Sequence, residues 1–121
     1  MGESIVLSKD DFDLLLLKSI DKALEDVLGA NVKQAVRSVL RKHYCLTTKQ
    51  IPVQLRVFAH ALDELFGASS DTVGKAIAKR LYSELGLEFF AKSGSTLVDY
   101  VEEARAAVAA TLESEVERPA H

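Results

Sequence analysis

The sequence is poor in residues that build cross-links, rigid turns and large aromatic contacts: its 121 residues include one cysteine, two prolines and no tryptophan. A lone cysteine, Cys45, excludes a disulfide within the chain and fits a reducing compartment. No apolar run approaches the about 20 residues that span a bilayer, and residues 1–8 lack the basic start of a signal peptide. The sequence therefore predicts a cytoplasmic protein with no membrane partner.

The composition itself is that of a folded globular protein, with 48% hydrophobic and 27% charged residues. A chain of this length buries roughly two-thirds of its unfolded surface, which is enough for a core without metal or disulfide support. We expect one helical domain over residues 1–121, in which residues 113–121 form a frayed polar tail.

Apolar residues recur at steps of three and four, the period of a helical face, in five stretches of the chain. Gly29, Gly67 and Gly86 end three of them, and residues 92–95 precede the last. The clearest stretch is residues 31–44. The pattern predicts an all-α fold with about five helices in a compact, mostly antiparallel bundle.

Polar side chains and one proline predict where these helices begin. Ser8 is expected to cap the first helix, and Asn31 with Gln34 the second. Pro52 suits the first turn of the third helix. The remaining predicted caps are Thr47 for a short turn, Ser69 or Ser70 for the fourth helix, and Ser95 or Thr96 for the fifth.

Charge is distributed unevenly along the chain, although the net charge is only −3. Residues 1–29 and 95–121 are acidic, whereas residues 30–50 carry lysine and arginine without any acid. The predicted basic surface comprises Lys33, Arg37, Arg41 and Lys42 on the second helix and Lys75 and Lys79 on the fourth. Such a surface can pair within the bundle, between subunits or with a partner.

Nucleic acid is one partner that this surface fits. Arg37, Arg41, Lys75 and Lys79 would neutralise phosphates, and the third and fourth helices resemble a helix-turn-helix in spacing. The sequence pI of about 5.6 counts against this alternative. Docking of the acidic first or fifth helix on the basic surface explains the same charges.

No residue pattern predicts catalysis, a metal site or a cofactor site. His43 and Cys45 lack the further ligands that zinc or haem needs, and His60 with Glu64 is typical of an exposed helical pair. A nucleophile built from Cys45 and His60 has no supporting motif. We therefore expect a protein that is not an enzyme. A small-ligand site near Phe58, Phe66, Phe89 and Phe90 is a further hypothesis, which rests on the aromatic distribution alone.

The fifth stretch predicts self-association. Its apolar residues form a narrow seam spaced near 3.5, as in a coiled coil: Leu97, Val101, Ala104 and Val108. The first helix adds Leu14 and Leu17 to an already wide apolar face. Together these features predict a non-enzymatic interaction or regulatory module that forms a homodimer.

The order of apolar positions and turn residues over roughly residues 20–105 carries a family resemblance. Its elements are Tyr44-Cys45-Leu46, Ile51-Pro52, Phe58, Leu62, Leu65-Phe66-Gly67, Ile77, Leu81, Leu85-Gly86-Leu87, Phe89 and Leu97-Val98-Asp99-Tyr100-Val101. This succession resembles the Nitrosopumilus output domain group, a small all-helical archaeal family found alone or behind signalling domains. The resemblance implies a self-standing helical module used in regulation or assembly, and it assigns no catalytic or binding residue.

Overall fold

The computed structural model describes the backbone of residues 9–117 and the side chains of residues 11–109. Within that part of the chain the elements are five α-helices, two short 3₁₀ turns and no strand, which confirms the all-α prediction. The helices are α1 (Lys9–Leu28), α2 (Ala30–Tyr44), α3 (Leu55–Phe66), α4 (Ser70–Leu85) and α5 (Leu97–Glu117). No helix among these residues has both the length and the apolar character needed to cross a membrane.

Helices α1 and α4 form the centre of the bundle, where they share its most extensive contact. Each supplies buried apolar residues at helical spacing, so that one face of each helix is removed from water. The central residues are Phe12, Leu16, Ile20, Ala23 and Leu24 from α1, and Val73, Ile77, Ala78 and Leu81 from α4. Helix α2 packs on α1 and α3, and α5 packs on α4 and α3.

The joint between α1 and α2 is the single residue Gly29, whose φ of +88° is easily adopted only without a side chain. Its N–H donates to the carbonyl of Glu25 at 2.9 Å, and its own carbonyl accepts from the N–H of Lys33 at 3.0 Å. The predicted cap by Asn31 and Gln34 is wrong, because α2 begins at Ala30 and no side chain caps it.

The starts of the first 3₁₀ turn and of α5 agree with the prediction. Thr47 begins the 3₁₀ turn Thr48–Gln50, and its N–H and hydroxyl both donate to the Gln50 side-chain oxygen, at 3.0 and 3.1 Å. Thr96 precedes α5 and exchanges hydrogen bonds with Asp99. These two starts are as predicted.

The starts of α3 and α4 differ from the prediction. Pro52 lies in a turn over residues 51–54, and α3 begins only at Leu55. No side chain caps α4, because the Ser70 hydroxyl donates to Asp63 of α3 instead. The Ser8 cap predicted for α1 falls outside the described residues.

Helix α5 belongs to the core of the single chain. Leu97, Val101 and Ala104 are buried, so in this conformation they offer no seam to a second copy. Burial against α3 and α4 explains the same apolar spacing within one chain, and self-association through these residues stays a prediction. The helix also continues to Glu117, into the range predicted as a frayed tail.

An aromatic cluster closes one end of the bundle. Phe89 packs against Tyr82 and Tyr100, with ring centroids 5.3 and 5.0 Å apart. The Tyr82 hydroxyl donates to the Tyr100 carbonyl at 2.8 Å, and the Tyr100 hydroxyl accepts from the Lys92 N–H at 2.9 Å. Phe90, the next residue, is 67% exposed and takes no part in the closure.

Candidate docking groove

A groove of about 710 Å³ lies between the start of α3 and the outer face of α5. Its lining is mainly apolar, with Val53, Val57, Val98 and Val108 exposed or partly exposed along much of it and Phe12, Pro52, Leu55 and Val101 at its buried side. We call this feature the docking groove. Its charged rim consists of Arg56, Glu102 and Arg105.

The groove follows from how its two walls are built. On one side, the buried pair Ile51-Pro52 anchors the turn before α3, and this leaves Val53 at the surface with 61% of its area exposed. On the other side, Val98, Val101 and Val108 lie on one face of α5 at helical spacing. Of the predicted self-association residues, Val108 is therefore the one that lies partly exposed at an open apolar surface.

One end of the groove is fixed by a contact between α1 and α5. The Arg105 guanidinium lies 2.8 Å from the Asp13 carboxylate and 4.5 Å from the centre of the Phe12 ring. Both charged side chains are largely covered, so water screens this pair less than a surface pair. The contact holds Phe12 and the start of α1 against α5.

The rim pair is much looser. Arg56 and Glu102 are 3.9 Å apart, and the Arg56 side chain is 81% exposed. Pairs of this kind contribute little to stability, because both ions remain hydrated and screened. Both charges therefore stay available to a partner.

The basic surface predicted on α2 is partly used within the chain. Lys33, which is buried, lies 3.2 Å from Asp21 and 3.1 Å from Glu25 of α1, and Arg37 lies 2.6 Å from Asp21. The hydrogen bonds to Glu25 and Asp21 raise the pKa of Lys33 above its ordinary value. The charges of Lys33 and Arg37 thus pair with the acidic first helix, which was one of the alternatives open from sequence.

The other predicted basic residues have different surroundings. Lys75 pairs with Asp71 on its own helix at 3.1 Å. Arg41, Lys42 and Lys79 are exposed, and within the described part of the chain they form no ion pair.

The environment of α4 bears on the helix-turn-helix alternative. Helix α4 packs against α1, α3 and α5, whereas a recognition helix has to present a broad face to the major groove. This packing counts against that alternative, and nucleic-acid binding stays a prediction.

A polar cluster at the end of α2 is not predicted by the sequence. The Tyr44 hydroxyl donates to Glu64 at 2.5 Å, and His60 lies 3.5 Å from the same carboxylate. The hydrogen bond to Glu64 raises the pKa of Tyr44. Only the His60–Glu64 pair is visible as a helical spacing; Tyr44 comes from another helix. Among the described residues, no three histidine, cysteine, aspartate or glutamate side chains are placed to hold a metal.

Most of the aromatic residues proposed for a ligand site are packed in or against the core. Phe58 is fully buried in the core, and Phe66 and Phe89 pack partly buried against it. In the described part of the chain, none of Phe58, Phe66, Phe89 and Phe90 lines the docking groove or either of two smaller clefts.

Comparisons with known proteins add no family or structural neighbour: no family model, curated protein or solved structure matches the chain. The resemblance to the Nitrosopumilus output domain group stays a prediction.

Proposed function

We propose that the chain is a non-enzymatic helical interaction module that associates with a second copy of itself through the docking groove. The observation that carries this proposal is the open, mainly apolar lining of the groove, with Val53 exposed at its edge. Covering such a surface removes apolar area from water, which is the main driving force of association.

The rim charges suit a second copy. In a two-fold dimer the same patch faces itself, so a residue of one copy meets a different residue of the other. Arg56 and Glu102 carry opposite charges on the two walls of the groove and are only loosely paired within the chain. Across a two-fold axis, Arg56 of each copy can pair with Glu102 of the other.

The proposal is tested by light scattering across a concentration series from low micromolar to about 0.5 mM. The mass of the wild-type chain should rise from 13.2 kDa towards twice that value. Val53→Asp should stay monomeric, because it places a charge in the groove. Leu14→Asp is the matched control: Leu14 is 64% exposed on α1 and does not line the groove.

Two results would overturn the proposal. One is a wild-type mass that remains at 13.2 kDa throughout the series. The other is a dimer that Val53→Asp and Leu14→Asp weaken equally, since this would place the interface elsewhere.

A further inference from the structure

The joint between α1 and α2 differs from a continuous helix at a single residue. Gly29 alone separates the two helices, and backbone hydrogen bonds of helical spacing lie on both sides of it. The Gly29 N–H donates to the Glu25 carbonyl at 2.9 Å, and the Lys33 N–H donates to the Gly29 carbonyl at 3.0 Å. The interruption is the φ of +88° at this glycine. A change of the backbone dihedrals at Gly29 therefore suffices to join α1 and α2.

Joining the two helices would satisfy backbone groups that the bend leaves open. The N–H groups of residues 30–32 precede the first bonded N–H of α2, that of Lys33, and no side chain caps them. In one straight helix these groups would donate to the carbonyls of residues 26–28, four positions earlier. The bend persists because glycine adopts a positive φ easily, so a residue that resists positive φ should favour the straight helix.

A straight helix would also complete an apolar stripe. Leu28, Val32, Ala35 and Val39 follow one another at steps of four, three and four residues, which is the spacing of a coiled-coil seam. The bend now separates Leu28 from the other three. Val32 is 42% exposed, Ala35 is exposed, and Leu28 and Val39 are partly exposed, so much of this stripe meets water in the closed chain. Straight helices from two copies can bury their stripes against each other.

Helix α1 of one copy has a matched place in a second copy. Straightening at Gly29 separates α1 from the rest of its own bundle, where it packs on α4 and α2 and is tied to α5 by an ion pair. A second copy offers α1 the same three helices. Asp21 and Glu25 would there meet Lys33 and Arg37 of the other copy, with the pairing seen within the closed chain at 2.6 to 3.2 Å. Exchange thus preserves the contacts of α1 and adds the stripe.

We propose that two copies of the chain, when they fold at high concentration, straighten at Gly29 and exchange α1. We call the product the exchanged dimer. It goes beyond the proposed function and does not rest on it, because the docking groove lies between α3 and α5 and exists in both forms. The exchanged dimer should separate slowly on dilution, since α1 supplies the centre of the core and has to leave it first.

Refolding of glycine variants tests the role of the joint. All proteins carry Val53→Asp, which removes association through the docking groove. Gly29→Ala is compared with Gly86→Ala, because both glycines have positive φ and open space around an added Cβ. Only Gly29 is followed at once by a helix, whereas residues 87–96 separate α4 from α5.

The proteins are unfolded in urea, refolded and separated by size exclusion with light scattering. After refolding at about 0.2 mM, the dimer fraction of Gly29→Ala should exceed that of the background protein and of Gly86→Ala at least about tenfold. This dimer should persist on dilution to low micromolar concentration. A folded Gly29→Ala protein that stays monomeric would overturn the proposal.

Charge complementation tests the exchange itself and does not require an altered joint. Asp21→Arg and Arg37→Glu each place like charges between α1 and α2 of the closed chain, and both side chains are about one-third exposed. In a mixed exchanged dimer, one contact keeps the natural pair and the other gains the reversed pair, so both are attractive. Refolded together in the Val53→Asp background, the two variants should form a mixed dimer, which native mass spectrometry counts.

The matched control refolds Arg37→Glu together with the unsubstituted background protein, a mixture in which exchange relieves no repulsion. The mixed dimer of the complementary variants should be at least about ten times more abundant than that of the control. Equal abundance would overturn the exchange, also in the case that Gly29→Ala does not fold.

The Val53→Asp background separates this proposal from the docking groove. Exchanged dimers in that background, combined with a native wild-type chain that stays monomeric in the concentration series, contradict the groove dimer alone. A wild-type dimer that Val53→Asp abolishes, combined with no mixed dimer above the control, contradicts the exchange alone.

Discussion

Gly74 occupies a buried position inside α4 where a side chain would still fit. A Cβ there would lie 3.5 Å from the Leu97 Cβ, an ordinary van der Waals distance. Helix α5 therefore approaches Gly74 without requiring a glycine. Gly74→Ala should stabilise the protein by about 0.5–1 kcal/mol, because alanine loses less backbone entropy in a helix. Urea unfolding followed by circular dichroism measures the change.

Gly86 provides the matched control for that substitution. It ends α4 with a φ of +74°, in the left-handed region. Gly86→Ala should destabilise the protein by about 1 kcal/mol, since a Cβ is strained there even with open space around it. If Gly74→Ala instead destabilises the protein, the packing of α5 against Gly74 leaves too little space for a methyl group.

The paired Lys33 gives the protein a defined response to alkaline pH. Hydrogen bonds to Glu25 and Asp21 raise the pKa of Lys33 above its ordinary value of 10.5, so the folded chain holds this proton more tightly than the unfolded chain. The resulting stabilisation is complete below the unfolded pKa and is lost as pH rises through the folded pKa. Urea midpoints should fall from about pH 10 upwards.

Replacing the ammonium group isolates the contribution of Lys33. Lys33→Met should flatten the alkaline fall in the urea midpoint, whereas Lys42→Met should leave it as in the wild type, because Lys42 has no ionic partner among the described residues. Tyr44, Tyr82 and Lys92 also have raised pKa values, so part of the fall should remain in every variant. Identical pH curves for the two methionine variants would contradict the role of Lys33.

At the scale of elements, Arg105 connects α5 to α1. Arg105 combines a 2.8 Å pair to Asp13 with a position 4.5 Å above the Phe12 ring. Arg105→Ala should destabilise the protein by about 1–2 kcal/mol, a value discounted because the Arg105 side chain is about one-third exposed. Arg56→Ala is the control and should change stability by less than about 0.5 kcal/mol. Equal losses of stability in the two variants would show that the contact of Arg105 with Asp13 stabilises the protein no more than the exposed Arg56 does.

Three helix ends could be predicted from the sequence, because each depends on the local backbone conformation of one glycine. Gly29, Gly67 and Gly86 all have positive φ at helix ends, where a side chain is strained. Starts were less predictable, since a proline fits both the first turn of a helix and the turn before it. The sequence favours Pro52 in the first turn of a helix, whereas the structure places it in the turn before α3.

The candidate surface was harder to predict than the helices. The spacing of Leu97, Val101 and Ala104 is the same whether they face their own core or another chain, and only the packing of α3 and α4 decides between them. The groove brings together Val53 and Val108, which lie far apart in sequence. The charge pattern was more informative, because the basic α2 does meet the acidic α1 through Lys33 and Arg37.

At the scale of the whole molecule, Val101 lies in the core of the bundle and Val53 lies at its open surface. Val101 is 1% exposed, so Val101→Glu replaces a buried apolar side chain with a carboxylate that loses its hydration. We expect Val101→Glu to lower the free energy of unfolding by about 4 kcal/mol or more, which is a large part of the stability of a small domain. Far-UV circular dichroism should show loss of helix or a sharply lowered melting temperature.

Val53→Glu makes the same chemical change at the opposite wall of the docking groove. Because Val53 is 61% exposed and precedes α3, the new carboxylate stays hydrated and favours the helix start, so the melting temperature should change little. Self-association should nevertheless be lost. A contrary result would be a Val101→Glu protein that stays fully folded and only loses its dimer. Val101 would then lie in an interface between two copies and not in the core of one chain.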